Sequence, residues 1–287
     1  MRHGAGAASR GQGVIWVLLP AFDEEPSLAA FVGRIAEVCA ASGAPYRIVV
    51  CDDGSADGTR RVLSELASSL PIEIIDHKLN RGLGETSRDL FEHAAEAAAP
   101  DDILVRMDCD DTHSPELIPA MLAAIAAGAD VVIASRFRPG GGQRGVDGYR
   151  AFVSRAANLF MRVVFRVPGV REYSCGYRAY RATAIQRAIA VYGNNFIQLK
   201  GLGFTCTLEK LIKLDLLGAR FAEVPFVLRY DRKLSGSKMA SSITTLGYLV
   251  MAVLYHWPWG GWRRTYAHLG AEAARGAAVP AAGDAGR

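Results

Sequence analysis

Asp108 and Asp110 flank a single residue at the end of an apolar run, Ile103–Met107. In extended backbone, residues two apart point to the same side, so both carboxylates can face one point. Carboxylate oxygens suit a hard cation such as Mg2+ or Mn2+, and Mg2+ is commonly held by one or two of them together with substrate phosphates. The competing reading of Asp108-Cys109-Asp110-Asp111 is a polar turn before the helix that Ser114-Pro115-Glu116 would open with a capping hydroxyl, since Asp is itself a frequent turn residue.

A second acidic stretch, Asp52-Asp53-Gly54-Ser55-Ala56-Asp57-Gly58, has the look of a calcium loop starting at Asp53. The twelfth position is Ser64, where a bidentate Glu is needed, and a strand precedes it instead of a helix. It reads either as a turn opening a helix or as a base pocket, with Asp53 accepting N–H groups and the glycines allowing close approach. Gly140-Gly141-Gly142 lies between Arg138 and Arg144, as a mobile loop or as a lid over a substrate. Arg232-Lys233-Leu234-Ser235-Gly236-Ser237-Lys238 is basic and broken by glycine, which means solvated charge unless it lies over an anion. No histidine spacing suggests a metal site, and neither GxGxxG nor GxxxxGK[ST] follows a predicted strand.

These groups need elements to hold them. Val14–Leu19, Arg47–Cys51, Ile72–Ile75, Ile103–Met107 and Asp130–Ala134 read as short buried strands. Between them, spacings such as Leu28, Phe31, Val32, Ile35, Val38, Cys39 give one apolar helical face. Strand–helix alternation predicts an α/β fold, a mainly parallel sheet with helices on both faces, whose ligands sit at the carboxyl ends of the strands. The acids, the glycines and Arg136 all follow such strand ends.

With 287 residues, 50% of them apolar and 22% charged, the chain can bury a large core. A net charge of +4 is too small to argue for nucleic acid. Five cysteines without a CxxC pair exclude a zinc ribbon or a disulfide scaffold and fit a reducing compartment. No secretory signal is visible near Met1, which points to the cytoplasm. The Ala/Gly-rich ends, 1–13 and 266–287, are expected to be tails.

In order along the chain stand VLLPAFDEE, VVCDDGSADGT, NRGLG, MDCDD, VVIASRFRPGGG, YSCGYRAYRA, FAEVPF and DRKLSGSK. Together they resemble a family 2 glycosyltransferase of the GT-A type, close to the dolichol-phosphate mannose synthase branch, over residues 14–238. The resemblance implies a Rossmann-like nucleotide-binding half plus an acceptor half. It also implies a nucleotide-diphospho-sugar donor (GDP-mannose favoured), Mg2+ or Mn2+, and a polyprenyl phosphate acceptor. By motif position Pro20, Phe22, Glu24, Cys51 and Asp53 would surround base and ribose, and Asp108, Cys109 and Asp110 would hold metal and diphosphate. Arg136 and Arg150 match arginines near the phosphates or acceptor, and Arg232 and Lys238 match a basic closing loop. The chain departs from the family pattern at Asp23 (commonly Asn), Thr112 (a longer residue in some relatives), Glu172 (commonly Asp), and Glu85 and Leu90 (commonly small). A membrane-spanning tail of the kind found in some members is not expected here.

A phosphate monoester has its second pKa near 6, so such an acceptor needs no general base. Positioning and charge neutralisation remain, and one displacement would invert the anomeric centre. The acceptor's apolar tail implies a bilayer surface. Within 239–265, Ile243, Leu246, Leu249, Val250, Val253, Leu254 and Trp257 fall at helical spacing ahead of Arg263 and Arg264. That pattern suits an interfacial helix, peripheral on a cytoplasmic membrane face, or equally a buried core helix. Rival functions are a same-fold transferase using UDP-glucose or a UDP-N-acetylhexosamine with another acceptor, and a non-catalytic nucleotide-sugar binder.

Overall fold

The computed structural model describes residues 13–234 and 241–269, so Lys238 and most of both expected tails lie outside the described residues. The first half runs β1 (Ile15–Ala21), α1 (Glu25–Ala41), β2 (Tyr46–Asp52), α2 (Thr59–Ala67), β3 (Ile72–Asp76), α3 (Leu83–Ala97), β4 (Ile103–Arg106), α4 (Ile118–Ala126) and β5 (Val131–Ser135). Then come β6 (Gly142–Arg144), α5 (Gly148–Phe165), β7 (Arg178–Arg181), α6 (Ala182–Tyr192), α7 (Thr205–Leu216), β8 (Phe221–Pro225), β9 (Val227–Arg229), α8 (Ser241–His256) and α9 (Gly261–Thr265). All five strands expected from apolar runs form, within two residues of their expected ends.

Seven strands make one sheet in the order β3-β2-β1-β4-β7-β5-β8. It is parallel except for β7, which runs antiparallel to β4 and β5. Alternate strand residues face opposite layers, which explains two cores. Leu18, Val49 and Leu104 pack with Phe91 of α3 and Leu211 of α7 on one face. Val17, Val50 and Val105 pack with Phe31 of α1 and Met121 of α4 on the other. Truncating a fully buried phenylalanine such as Phe31 or Phe91 would cost about 3–5 kcal/mol. The order reverses at β1, which has β2 on one side and β4 on the other. A reversal of this kind opens a crevice at the carboxyl edge, where ligands bind.

Four local expectations are corrected. Of the glycine-rich segment read as a mobile loop or lid, Gly140 and Gly141 stay in a turn, while Gly142 opens β6, which pairs parallel to β9 in a second small sheet. Gly142 N–H donates to the Phe226 carbonyl at 2.9 Å, and these backbone bonds hold the segment down. Ser114 makes no capping bond, because a single 3-10 turn, Pro115–Leu117, precedes α4. The apolar segment 239–265 is not one helix. Pro258 disfavours helix at the residue before it, and α8 and α9 lie on either side. Tyr266, expected in a tail, packs its ring 5.1 Å from that of Tyr192.

Candidate active site

The loops after β1 and β2 are stitched together. Asp23 N–H donates to Ser55 Oγ at 2.9 Å, and Ala56 N–H donates to Asp23 Oδ1 at 2.8 Å. An Asn oxygen could accept the latter bond equally well, so Asp23 preserves this link despite its departure from the family pattern. Glu24 N–H donates to Thr59 Oγ1 at 2.9 Å, and Gly58 N–H to Glu25 Oε2 at 2.9 Å. Pro20 stands beside Cys51 in the β1–β2 register, and Phe22 begins the loop that follows β1. Cys51 is buried, and burial pushes its thiol far above the ordinary value, which leaves it a wall rather than a nucleophile.

Asp53, expected at the base, also has a structural task. Its Oδ1 accepts from Arg81 N–H at 2.9 Å and lies 2.7 Å from His77 Nδ1, while Oδ2 accepts from Gly82 N–H at 2.8 Å. The buried carboxylate thus shapes the Asn80–Gly84 loop. Gly54 permits the approach: its φ is +72°, and a Cβ there would stand 2.6 Å from the Leu79 carbonyl carbon.

The aspartates after β4 are held from three sides. Asp108 Oδ1 pairs with Arg106 Nη1 at 2.7 Å, and Asp108 N–H donates to His113 Nδ1 at 2.9 Å. An accepting Nδ1 places the neutral ring's proton on Nε2, which lies 3.5 Å from Asp108 Oδ2. Burial keeps His113 neutral by lowering its pKa, and its ring stacks on Tyr177 at 5.1 Å. Arg34 on α1 anchors Asp111 at 2.5 Å.

Asp110 accepts from Thr112 Oγ1 at 2.6 Å and forms an ion pair with Lys233. Burial would raise the Asp110 carboxyl, but the Lys233 ammonium, with the Thr112 hydroxyl beside it, outweighs burial and holds its pKa below the usual value. Burial likewise disfavours the Lys233 ammonium, which Asp110 and, more weakly, Glu24 and Asp108 restore above the ordinary lysine value. One cation therefore feels carboxylates from the first loop and from both positions of the Asp-Cys-Asp triplet, with Cys109 buried between them. Of the basic run expected to close over the site through Arg232 and Lys238, it is Lys233 that pairs with Asp110, and Lys238 lies outside the described residues.

Arg136 does not present a free guanidinium. Its Nε and Nη2 donate to the two oxygens of fully buried Glu172 at 2.8 and 2.9 Å, Nη2 also reaches Ser174 Oγ at 2.7 Å, and Nη1 reaches Ser154 Oγ at 3.2 Å. Arg136 thereby fastens the end of β5 to the Glu172 loop and to α5. Arg150 lies exposed in the first turn of α5, 3.2 Å from Asp147, and Arg232 sits in the turn after β9 beside Lys233.

The donor set supports a hard divalent cation. It offers oxygens only, and an ammonium already occupies the position that the carboxylates favour for positive charge. Asp108 and Asp110 would hold the ion, with the remaining positions left to water and phosphate oxygens. Among the described residues there is no cluster of three or more His, Cys, Asp or Glu able to hold a metal unaided. A site of this kind suits an ion shared with a diphosphate, which can also receive Lys233.

Comparison with known proteins agrees with the geometry. The description "Glycosyl transferase family 2" matches residues 16–188. The polyprenol monophosphomannose synthase of Mycolicibacterium smegmatis is 31% identical over 228 residues, 79% of this chain and 81% of that protein. The undecaprenyl-phosphate mannosyltransferase of Micrococcus luteus is 33% identical over 230 residues, 80% and 88% of the two chains. A structure of glucosyl-3-phosphoglycerate synthase from Mycobacterium tuberculosis with Mn2+ and uridine diphosphate superposes with a TM-score of 0.55 at 18% identity, covering 89% of this chain and 85% of that one, which establishes likeness of fold. The crevice at β1, the paired aspartates and the family match agree with the eight sequence motifs: the chain belongs to glycosyltransferase family 2.

Proposed function

We propose that the protein is an inverting, metal-dependent hexosyltransferase that moves mannose from GDP-mannose to a polyprenyl phosphate at a membrane surface. The observation that carries this reading is the ion pair of Lys233 with Asp110, where Glu24 and Asp108 also act on the ammonium at the sheet's switch point. That arrangement suits a polyanionic leaving group, and the two relatives' names supply the mannose and the polyprenyl acceptor.

The base and ribose would lie along Pro20, Phe22, Cys51 and the loop that Asp53 shapes. A Mg2+ or Mn2+ held by Asp108 and Asp110 would supply positive charge against the departing diphosphate. Lys233, transferred from Asp110 to a phosphate oxygen, would add a charge-assisted hydrogen bond, with Arg232 and Lys238 beside it. Arg106 and His113 fix the orientation of Asp108. An acceptor phosphate oxygen attacks the anomeric carbon as the bond to the diphosphate breaks, and the nucleoside diphosphate leaves. The acceptor is already ionised near neutral pH, so no side chain has to remove a proton. Arg136 acts through α5, and Arg150 stands ready at that helix's exposed start for the incoming phosphate.

Product analysis tests the proposal. The full chain is given labelled GDP-mannose, UDP-glucose or UDP-N-acetylglucosamine with one polyprenyl phosphate and Mg2+ or Mn2+. A mannosyl phospholipid formed from GDP-mannose alone, and lost on chelation, is expected. Transfer from a uridine donor, or transfer that survives chelation, overturns it.

A further inference from the structure

Beneath Asp108, in the layer between the sheet and α3 and α7, lie two buried cations, Arg106 on β4 and Lys210 on α7, each 1% exposed. The Arg106 guanidinium forms its ion pair with Asp108, yet among the described residues none of its three nitrogens has a hydrogen-bond acceptor, and neither has Lys210 Nζ. Lys210 Nζ stands over the Phe91 ring, 4.7 Å from its centre. Gly176 makes room for the guanidinium, since a Cβ there would stand 2.0 Å from Arg106 Nη1. A third buried cation, Arg178 on β7, differs from these two: it donates to the carbonyls of Cys175, Thr207 and Tyr173 at 2.9, 2.8 and 2.9 Å.

Burial above all, with Arg106 and Arg178, lowers the Lys210 pKa to about 8 against support from Cys206 and Glu209, so the ammonium still carries charge at pH 7. Burying a cation without an acceptor costs stability, and an apolar side chain in its place would serve the core better. A charge kept at that cost invites a role in the site above it.

We infer that Arg106 and Lys210 set the charge of the metal site, making Asp108 a poor ligand for a free divalent ion and reserving it for an ion that arrives with a diphosphate. Asp108, Asp110 and Glu24 face Arg106, Lys210, Arg178 and Lys233, while Arg34 and Asp111 cancel one another. No surplus of negative charge is left to draw in Mg2+ alone. A diphosphate supplies the missing negative charge, and it can receive Lys233 as well. In a buried layer such charges act over several ångströms. Lys210 touches neither ion nor substrate in this scheme, which makes it a positioning residue that works through Arg106. The inference rests on the proposed function for the ion and the diphosphate, and not on the sugar or the base.

Calorimetry on the full chain at pH 7, with Mg2+ alone and with GDP at saturating Mg2+, provides the test. Lys210→Met removes the charge at similar volume and should raise Tm. It should bind Mg2+ alone about fivefold more tightly than the wild type, and GDP with Mg2+ about fivefold less tightly. A damaged pocket would weaken both, so opposite signs identify charge as the cause. Lys210→Gln, neutral and of different shape, should repeat both shifts and serves as the test should methionine disturb the packing. Unchanged Mg2+ affinity, absence of Mg2+ binding in wild type and variants alike, or two shifts of the same sign overturns the inference. UDP in place of GDP separates the two readings. A wild type that binds UDP and not GDP, with the opposite shifts kept, removes the GDP-mannose reading alone. GDP binding that Lys210→Met and Lys210→Gln leave unaltered removes the charge role alone.

Discussion

At the scale of single residues, the weight falls on Asp110. Its i, i+2 spacing from Asp108 was readable, because strand geometry directs alternate side chains to one side. Asp110→Asn should lower kcat/KM by about a hundredfold or more, the cost of losing one preorganised charge contact in a water-poor site. Steady-state rates titrated against Mg2+ check this, and wild-type rates at saturating metal would remove Asp110 from the site. Lys233 could not be singled out in the sequence. It is one of several cations in a glycine-broken run, and its partner lies 123 residues upstream. His113 and His77 were passed over for lack of metal spacing, since their tasks, orienting Asp108 and backing Asp53, leave no periodic trace. Two effects of opposite sign are expected for Lys233→Ala. Mg2+ should bind several-fold more tightly, since no ammonium has to be displaced, while kcat falls at least about tenfold for want of a donor to the leaving group. Calorimetric Mg2+ titration together with kcat separates them. A lysine that merely braces the fold would leave kcat intact once metal is bound.

At the scale of elements, the five strands were legible because each is a short apolar run closed by polar or turn-forming residues, while β6 and β9 were not, because three residues such as Gly142–Arg144 carry no apolar pattern. The Arg136–Glu172 pair was equally hidden, although it joins β5, α5 and the Glu172 loop. Burial would raise Glu172, but Arg136 outweighs it and holds the carboxyl below its ordinary value of 4.5. A depressed folded-state pKa contributes stability that is present above the unfolded value and is lost as pH falls through the folded one. The pair should therefore support the fold at neutral pH and fail in acid below about pH 4.5. Glu172→Gln leaves a buried guanidinium without its counter-charge and should cost about 3–5 kcal/mol at pH 7, read by urea unfolding, with the gap to wild type closing in acid. Asp215 on α7 gives the opposite sign. Burial raises its pKa from 3.8 to about 6, so ionising it opposes folding as pH climbs through that window. Asp215→Asn should stabilise by about 1–2 kcal/mol at pH 7.5 and by little at pH 4. Thermal melts at the two pH values decide it, and an equal gain at both would mean that the aspartate's charge is not the cause.

At the scale of the whole molecule, the eight motifs spell out a route around one sheet edge, and only the strand order shows why they meet. β2 and β3 lie to one side of β1 and β4 to the other, so the loops after β1, β2 and β4 open into the same crevice. The turn after β9 closes over them through Lys233. Family membership was therefore legible from the motifs, while the closure depends on a contact between distant parts of the chain. A nucleoside diphosphate bound with Mg2+ would join three loops and this turn in the folded state only, and its binding energy would add to stability by linkage. At a hundredfold excess over Kd the gain is about 2.7 kcal/mol, which for a domain of this size raises Tm by about 5–10 °C. GDP with Mg2+ should produce that shift and UDP a smaller one, since guanine is the proposed base. Asp110→Asn should abolish most of it, because the carboxylate that holds the cation is lost, while Leu246→Glu, an exchange at an exposed position of α8, should leave it whole. A shift that survives Asp110→Asn would mean that the diphosphate binds away from the crevice, however well the fold matches the family.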